Sequence, residues 1–213
     1  MNLTLRQLHP LSFTPAEINR SDIWGKEIIL NSAESHLLIA PSGSGKSSLT
    51  GFLYGFRNDF SSDLFFNDKN SASFSITDWI NLRRNKLSVV FQDLRLFEQL
   101  TVDENLKIKS NLTKNNFSVN LDESCERLGI STMRKRKVST LSMGQKQRVA
   151  ILRALLQPFE FLLMDEPFSH LDPANVKNAL ELIHEACKKQ TAGFLVTSLN
   201  TTHDFSYDKV FYL

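Results

Sequence analysis

The feature that most constrains this 213-residue chain is the segment Ala40-Pro41-Ser42-Gly43-Ser44-Gly45-Lys46-Ser47. It follows the apolar run Leu37-Leu38-Ile39 and precedes a helical pattern over residues 46–56. A strand, a glycine-rich turn ending in Lys-Ser, and then a helix is the context that a phosphate-cradling loop requires. Gly43 and Gly45 let the backbone fold tightly, so that successive N–H groups converge on an anion. The helix N-terminus adds partial positive charge. Lys46 is expected to bridge the β- and γ-phosphates of a nucleotide, and the Ser47 hydroxyl to ligate magnesium. Pro41, Ser42, Ser44 and Ser48 complete the expected cradle. A merely flexible Gly/Ser connection would explain neither the placement nor the Lys46-Ser47 pair. Ala40 stands where such loops usually begin with glycine, and its methyl group matters only if the backbone there needs positive φ.

Three more short apolar runs read as strands: Ser88-Val89-Val90-Phe91, Phe161-Leu162-Leu163-Met164 and Phe194-Leu195-Val196-Thr197. Each is too short for a helix and uninterrupted, as parallel strands covered on both faces are. Helical periodicity lies between them, in Val149, Leu152 and Leu156, and again in Val176, Leu180, Ile183 and Cys187. The second of these helices has a start signal, with Asp172 at the cap and Pro173 in the first turn. A last strand is expected at residues 207–213. Strands alternating with helices predict an α/β fold with a mostly parallel sheet. Residues 94–138 are polar and weak in strand signals. They read as a mostly helical insertion, with a mobile surface loop at the Asn-, Lys- and Ser-rich residues 107–116.

The net charge of +2 offers no concentrated basic face, so nucleic acid is not an expected partner. The run Met133-Arg134-Lys135-Arg136-Lys137 reads as a solvated loop. Cys125 and Cys187 lie far apart and outside any Cys-x-x-Cys pattern, which fits a reducing compartment and gives no cysteine metal site. No apolar run approaches the ~20 residues of a membrane-spanning helix. The amino-terminal stretch does not look like a secretory signal. Work at a membrane would therefore require docking to something else that spans it.

Four further motifs follow the loop in order. Gln92 ends the strand in Val-Val-Phe-Gln-Asp-Leu-Arg-Leu-Phe. Then come Leu141-Ser142-Met143-Gly144-Gln145-Lys146-Gln147-Arg148, the run Phe161 to Met164 leading into Asp165-Glu166-Pro167, and Ser169-His170-Leu171-Asp172. Two adjacent carboxylates at the tip of a buried strand make sense where a cation or polar chemistry meets them. Together these motifs resemble the ATP-binding cassette (ABC) ATPases over nearly the whole chain.

The resemblance implies a single cassette, residues 1–213. Its phosphate-loop core would be formed by residues 1–92 and 157–213, with an N-terminal β subdomain and a helical subdomain at 93–156. It implies that Asp165 supports magnesium, Glu166 acts as general base toward water, and Gln92 touches metal and water. Ser142, Gly144 and Gln145 look like the signature that meets the γ-phosphate held by a second subunit, and Asp172, close behind the acidic pair, is counted with the nucleotide-binding residues. Ser142 can also cap the following helix, whose N-terminus favours an anion. Met143 replaces the usual first glycine of that signature. An adenine platform would be Phe13, or else Trp24; a core role for Phe13 fits equally well.

Where the family places a histidine after the strand 194–197, this chain has Ser198, which can hydrogen-bond but carries no charge at neutral pH. Losing one transition-state contact costs about 10²-fold or more in rate rather than all activity. His203-Asp204 follows without aligning to that position. The stretch Phe91 to Phe97 with Leu100 to Leu106 is similar to the small subunits of the lipoprotein-release, macrolide-export and cell-division type. The expected protein is thus an ATP- and magnesium-dependent ATPase subunit, dimerising head to tail with itself or a similar subunit. It would sit in the cytoplasm on the inner face of the membrane, powering a separate transmembrane permease. The alternative is a weakly hydrolysing, nucleotide-gated module that signals mechanically to a membrane partner, which Ser198 favours. A soluble ABC ATPase acting on DNA or ribosomes fits the charge and the single cassette less well.

Overall fold

A computed structural model describes residues 1–110, 119–199 and 202–213. The chain opens with β1 (Leu3–Pro10), the short helix α1 (Pro15–Asn19), β2 (Glu27–Leu30) and β3 (Ser35–Ile39). Helix α2 (Lys46–Leu53) follows, then β4 (Phe60–Phe66), β5 (Lys69–Asn70), α3 (Ile76–Asn85) and β6 (Leu87–Val90). Helices α4 (Val102–Ser110), α5 (Leu121–Arg127) and α6 (Met143–Leu155) precede β7 (Phe161–Asp165). The chain then runs through α7 (Pro173–Gln190), β8 (Gly193–Ser198) and β9 (Lys209–Tyr212).

Two sheets result. The five-stranded sheet has the order β6-β7-β8-β3-β9, and every pairing in it is parallel. All residues of β7 and β8 are buried, which is why they read as unbroken apolar runs. The four-stranded sheet, β2-β1-β4-β5, is antiparallel, with a register shift in β1 between Arg6 and His9. The fold is therefore α/β, with a parallel core sheet, an N-terminal antiparallel sheet, and helices α4 to α6 inserted between β6 and β7.

One apolar cluster joins α4 to α7 to one face of the parallel sheet, through Val102, Leu106, Leu152, Leu180 and Phe194. A second fills the space between the two sheets around Trp24, Leu49, Phe52 and Phe161. Helix starts follow local chemistry. Ser75 with Asp78 and Ser142 with Gln145 form reciprocal capping boxes, and Asp172 with Pro173 starts α7.

Three local expectations change. The helix after the phosphate loop ends at Leu53 rather than residue 56, because Gly55 is left-handed at φ 68° and Arg83 donates to the Tyr54 and Gly55 carbonyls. The basic run is more than a solvated loop. Arg134 bonds the Asp103 carboxylate at 2.6 Å and also reaches Asp122, while Lys135 bonds Asp103 at 3.1 Å, tying the run to the start of α4. Residues 107–110, expected in a surface loop, are the last turn of α4. The rest of that expected loop, residues 111–116, lies outside the described residues.

Candidate functional site

Strand β3 delivers the chain to the phosphate loop at the carboxyl end of the parallel sheet. Ala40 is buried and has no left-handed φ, so its methyl group is accommodated without strain. Its N–H donates to the Ser198 carbonyl at 3.0 Å, extending the β3–β8 ladder by one bond. Gly43 and Gly45 lie at φ 82° and 98°, where a side chain is disfavoured. A Cβ on Gly43 would meet nothing within 4 Å, so the concave side of the loop is open. A Cβ on Gly45 would lie 3.0 Å from Trp24 and 3.1 Å from Phe13.

These two aromatic rings underlie the loop. Trp24 is buried and its Nε1–H donates to the Ser44 carbonyl at 3.3 Å, so it supports the loop and presents no face for stacking. Phe13 is half-buried and packs edge-on against Trp24 at 6.0 Å, leaving it as the aromatic available beside the loop. Ser44 Oγ donates to the Pro41 carbonyl at 2.8 Å. Pro41 and Ser42 are exposed. Ser48 Oγ accepts from Arg57 at 2.8 Å, an engagement the sequence did not announce.

Lys46 sits at the centre. Its ammonium group donates to the carbonyls of Ala40 (2.8 Å) and Pro41 (2.9 Å) and lies 3.2 Å from Glu166 Oε1. Ser47 Oγ donates to Gln92 Oε1 at 3.4 Å, and its hydroxyl acts on the Asp165 carboxyl beside it. Asp165 is buried at the end of β7, and its Oδ1 accepts from Thr197 Oγ1 at 2.8 Å. Burial pushes the Asp165 carboxyl up, with the neighbouring Glu166 adding to the shift, against the opposing bonds of Ser47 and Thr197 and the charge of Lys46. An ionised acid in that position gains from a further cation.

Glu166 adopts φ 48°, unusual for a residue with a side chain. Its N–H donates to Thr197 Oγ1 at 3.0 Å, and its carbonyl accepts from Gln147 Nε2 at 3.5 Å. Gln147 is buried; its Nε2 also donates to Ser169 Oγ at 2.8 Å, and its Oε1 accepts from the His170 N–H at 2.9 Å. Sequence reasoning assigned no role to Gln147 or Thr197. Gln147 stood on the apolar stripe of α6, four residues before Ile151 and seven before Ala154, and a polar residue at a core-facing position was the available signal.

The structure thus brings Lys46, Ser47, Gln92, Asp165 and Glu166 together. The signature residues form a separate group. Ser142 and Gln145 bond one another, at 3.0 and 3.3 Å, and a Cβ on Gly144 would lie 2.6 Å from the His170 carbonyl. The glycine at 144 is therefore demanded by close packing within this chain, beyond any approach to phosphate. Asp172 is spent on its cap: one oxygen accepts from the Asn175 N–H at 3.0 Å and the other from the Asn175 side chain. Ser198 is buried at the end of β8. Together with Glu166, Phe168, Thr197 and His203 it lines a cleft of about 1260 Å³. His203 stacks edge-on against Phe168 at 5.0 Å, and burial pushes its imidazole pKa down, favouring the neutral form.

The family described as ABC transporter matches residues 26–169, about two-thirds of the chain. The chain belongs to the ABC transporter family. The cassette is 36% identical, over 169 residues, to the thiamine import ATP-binding protein ThiQ of Aliivibrio fischeri, covering 78% of this chain and 68% of that protein. It is 35% identical over 171 residues to the lipoprotein-releasing system ATP-binding protein LolD of Buchnera aphidicola, covering 79% and 73%. The ABC transporter cassette MJ0796, solved as a dimer, superposes with a TM-score of 0.81 at 21% identity, covering 99% of this chain and 94% of its own. That likeness carries the fold. No helix among the described residues of this ABC protein is long and apolar enough to cross a membrane.

Proposed function

We propose that this cassette binds ATP with magnesium and hydrolyses it, as one of two head-to-tail subunits attached to a separate membrane-spanning permease. The observation that carries the reading is the convergence of Lys46, Ser47, Gln92, Asp165 and Glu166 around an open, glycine-shaped loop. The residues present fit a magnesium nucleotide, since one ammonium, a hydroxyl, an amide oxygen and two carboxylates lie together beside the loop. Magnesium bound with the nucleotide would be held by Ser47, Gln92 and Asp165, and supplies charge neutralisation on the phosphate oxygens.

Lys46 exchanges its two loop carbonyls and Glu166 for phosphate oxygens, a change of partners within the same space. Glu166, released from Lys46, accepts the proton of the attacking water. Thr197 and Gln147 hold the Glu166 backbone where that proton transfer needs it. Phe13 offers its ring to the adenine. The separation of Ser142, Gly144 and Gln145 from their own chain's phosphate loop supports a site completed by a second copy, and the dimeric state named for MJ0796 agrees. Relatives named for thiamine import and lipoprotein release support transport as the task.

A phosphate-release assay on the purified chain, with Glu166→Gln as control, tests hydrolysis. Wild-type turnover well above the variant is expected, and equal rates would sink the hydrolase reading. The position of Ser198 favours the second reading, a slow, nucleotide-gated mechanical module, and wild-type turnover near the variant's with intact ATP-driven dimerisation would select it.

A further inference from the structure

Glycine weakens a helix interior relative to alanine, yet Gly51 lies within α2. The chain beyond the helix supplies the reason. Gly55 turns it back at φ 68°, and the Phe56 and Arg57 N–H groups both donate to the Gly51 carbonyl, at 2.8 and 3.1 Å. The methylenes of Arg57 then lie along α2 where a side chain at 51 would stand. A Cβ there would meet Arg57 Cδ at 3.2 Å and Cγ at 3.3 Å. Residues 48 and 51 share one face of the helix. The missing side chain therefore opens a track by which Arg57 runs back to the first turn of α2, where its Nη1 donates to Ser48 Oγ at 2.8 Å.

The guanidinium is fixed at that point. Asp59 accepts from its Nε at 2.9 Å and also from its Nη2, a two-pronged pair that sets the plane of the fork. The remaining prong, Nη1, faces Ser48 beside the phosphate loop. Because Ser48 Oγ accepts from Arg57, its own hydrogen is left to donate. A guanidinium and a hydroxyl thus meet at the end of the loop, both able to serve one anion.

The neighbours say which part of a nucleotide that anion is. The Leu11 N–H donates to the Asp59 carbonyl at 3.0 Å, which joins the Arg57–Asp59 turn to the segment that carries Phe13. Beneath the loop the rings of Phe13, Trp24 and Phe52 follow one another edge-on at 6.0 and 6.3 Å, and the Arg57 guanidinium lies 5.5 Å from the Phe52 ring. Arg57 is therefore tied on one side to the segment whose aromatic is offered to the adenine. On the other it is tied to Ser48, just past Lys46 and Ser47, which take the β- and γ-phosphates. What lies between adenine and β-phosphate is the ribose and the α-phosphate, and the α-phosphate is the anion of the two. Resting on the ATP-binding reading above, we propose that Arg57 is a further nucleotide-binding residue that meets the α-phosphate beside the Ser48 hydroxyl. Asp59 is its positioning residue, and Gly51 the position that admits it.

The α-phosphate is common to ATP and ADP, so this contact holds both nucleotides alike. Discrimination between them is left to the groups that meet the γ-phosphate.

The test is calorimetric titration of the full chain with magnesium and either ADP or a non-hydrolysable ATP analogue, for wild type, Arg57→Gln and Arg57→Lys. The urea midpoint without nucleotide is measured alongside. Arg57→Gln should weaken both nucleotides by the same factor, ~10-fold, with the midpoint little changed. Arg57→Lys should recover part of the loss, since it keeps the charge and loses the fork. Unchanged affinity, or a loss confined to the ATP analogue, overturns the proposal while wild-type binding keeps the ATP-binding reading standing. A loss that accompanies a lowered midpoint and is not recovered by lysine makes Arg57 a structural residue and overturns the proposal too. Failure of the wild-type chain to bind either nucleotide overturns both readings.

Discussion

Replacing Gln147 by methionine removes the bonds that hold the Glu166-to-His170 turn while keeping the length of the side chain. The wild-type amide accepts from the His170 N–H at 2.9 Å, donates to Ser169 Oγ at 2.8 Å and braces the Glu166 carbonyl at 3.5 Å. Ser169 keeps a second contact, His170 Nδ1 at 2.9 Å, so the main loss is the His170 N–H. One buried donor left unpaired costs about 1–3 kcal/mol, and the easier burial of a thioether returns part of it. The expected net loss is ~1–2 kcal/mol, read as a drop of roughly 0.5–1 M in the urea midpoint at unchanged slope. Turnover should fall more than stability implies. Glu166 at φ 48° holds a conformation that relaxes when its brace goes, and a displacement of about 1 Å at a reacting group costs ~10²-fold. The signature is a lowered kcat with KM for ATP little changed, because Gln147 bonds none of the phosphate-loop residues. Unchanged stability together with unchanged kcat would refute the brace, as would a raised KM with kcat intact.

Two further substitutions probe other parts of the fold. Gly144→Ala places a methyl group 2.6 Å from the His170 carbonyl, so a destabilisation of ~1–3 kcal/mol is expected in the same urea assay. Asp208 accepts from the Ser35 hydroxyl at 2.6 Å and the Ser35 N–H at 2.8 Å, which holds its carboxyl below the usual range. A depressed folded-state pKa adds stability above the unfolded value of about 3.9, lost as pH falls through the folded value. The stability gap between wild type and Asp208→Asn should therefore be full at pH 7 and shrink below about pH 4.

The parallel sheet was legible because each of its central strands is buried on both faces, and burial leaves an unbroken apolar run. The phosphate loop, the capped helices and the acidic pair were legible because their chemistry is local: a glycine's φ, a hydroxyl three residues from an N–H, a carboxylate at a strand end. The antiparallel sheet was harder to see in the sequence. β4 carries polar residues at exposed positions and β1 is interrupted by a left-handed Gln7 at φ 50°. The basic run 133–137 looked solvated because its partner Asp103 lies about thirty residues earlier, and only folding brings the two together. Thr197 was hidden for the same reason. It looks like the end of an apolar strand until β7 is laid beside it and its hydroxyl falls between Asp165 and Glu166.

The departures from the usual motif residues acquire different weights once the atoms are placed. Ala40 occurs where glycine is common, yet what the loop requires there is a negative-φ residue whose N–H meets the Ser198 carbonyl, and alanine supplies both. Position 198 contributes that carbonyl whatever its side chain, so the shape of the loop is indifferent to the exchange of histidine for serine. The consequence of Ser198 is confined to chemistry inside the cleft it shares with Glu166 and His203. Gly144 runs the other way. The motif suggests a glycine kept for an incoming phosphate, while the His170 carbonyl already forbids a side chain in the isolated chain. That contact ties the first turn of α6 to the turn that carries Glu166, and Gln147, one helical turn further along, bonds the same turn. The first two turns of α6 are therefore packed and hydrogen-bonded directly to the turn that carries Glu166.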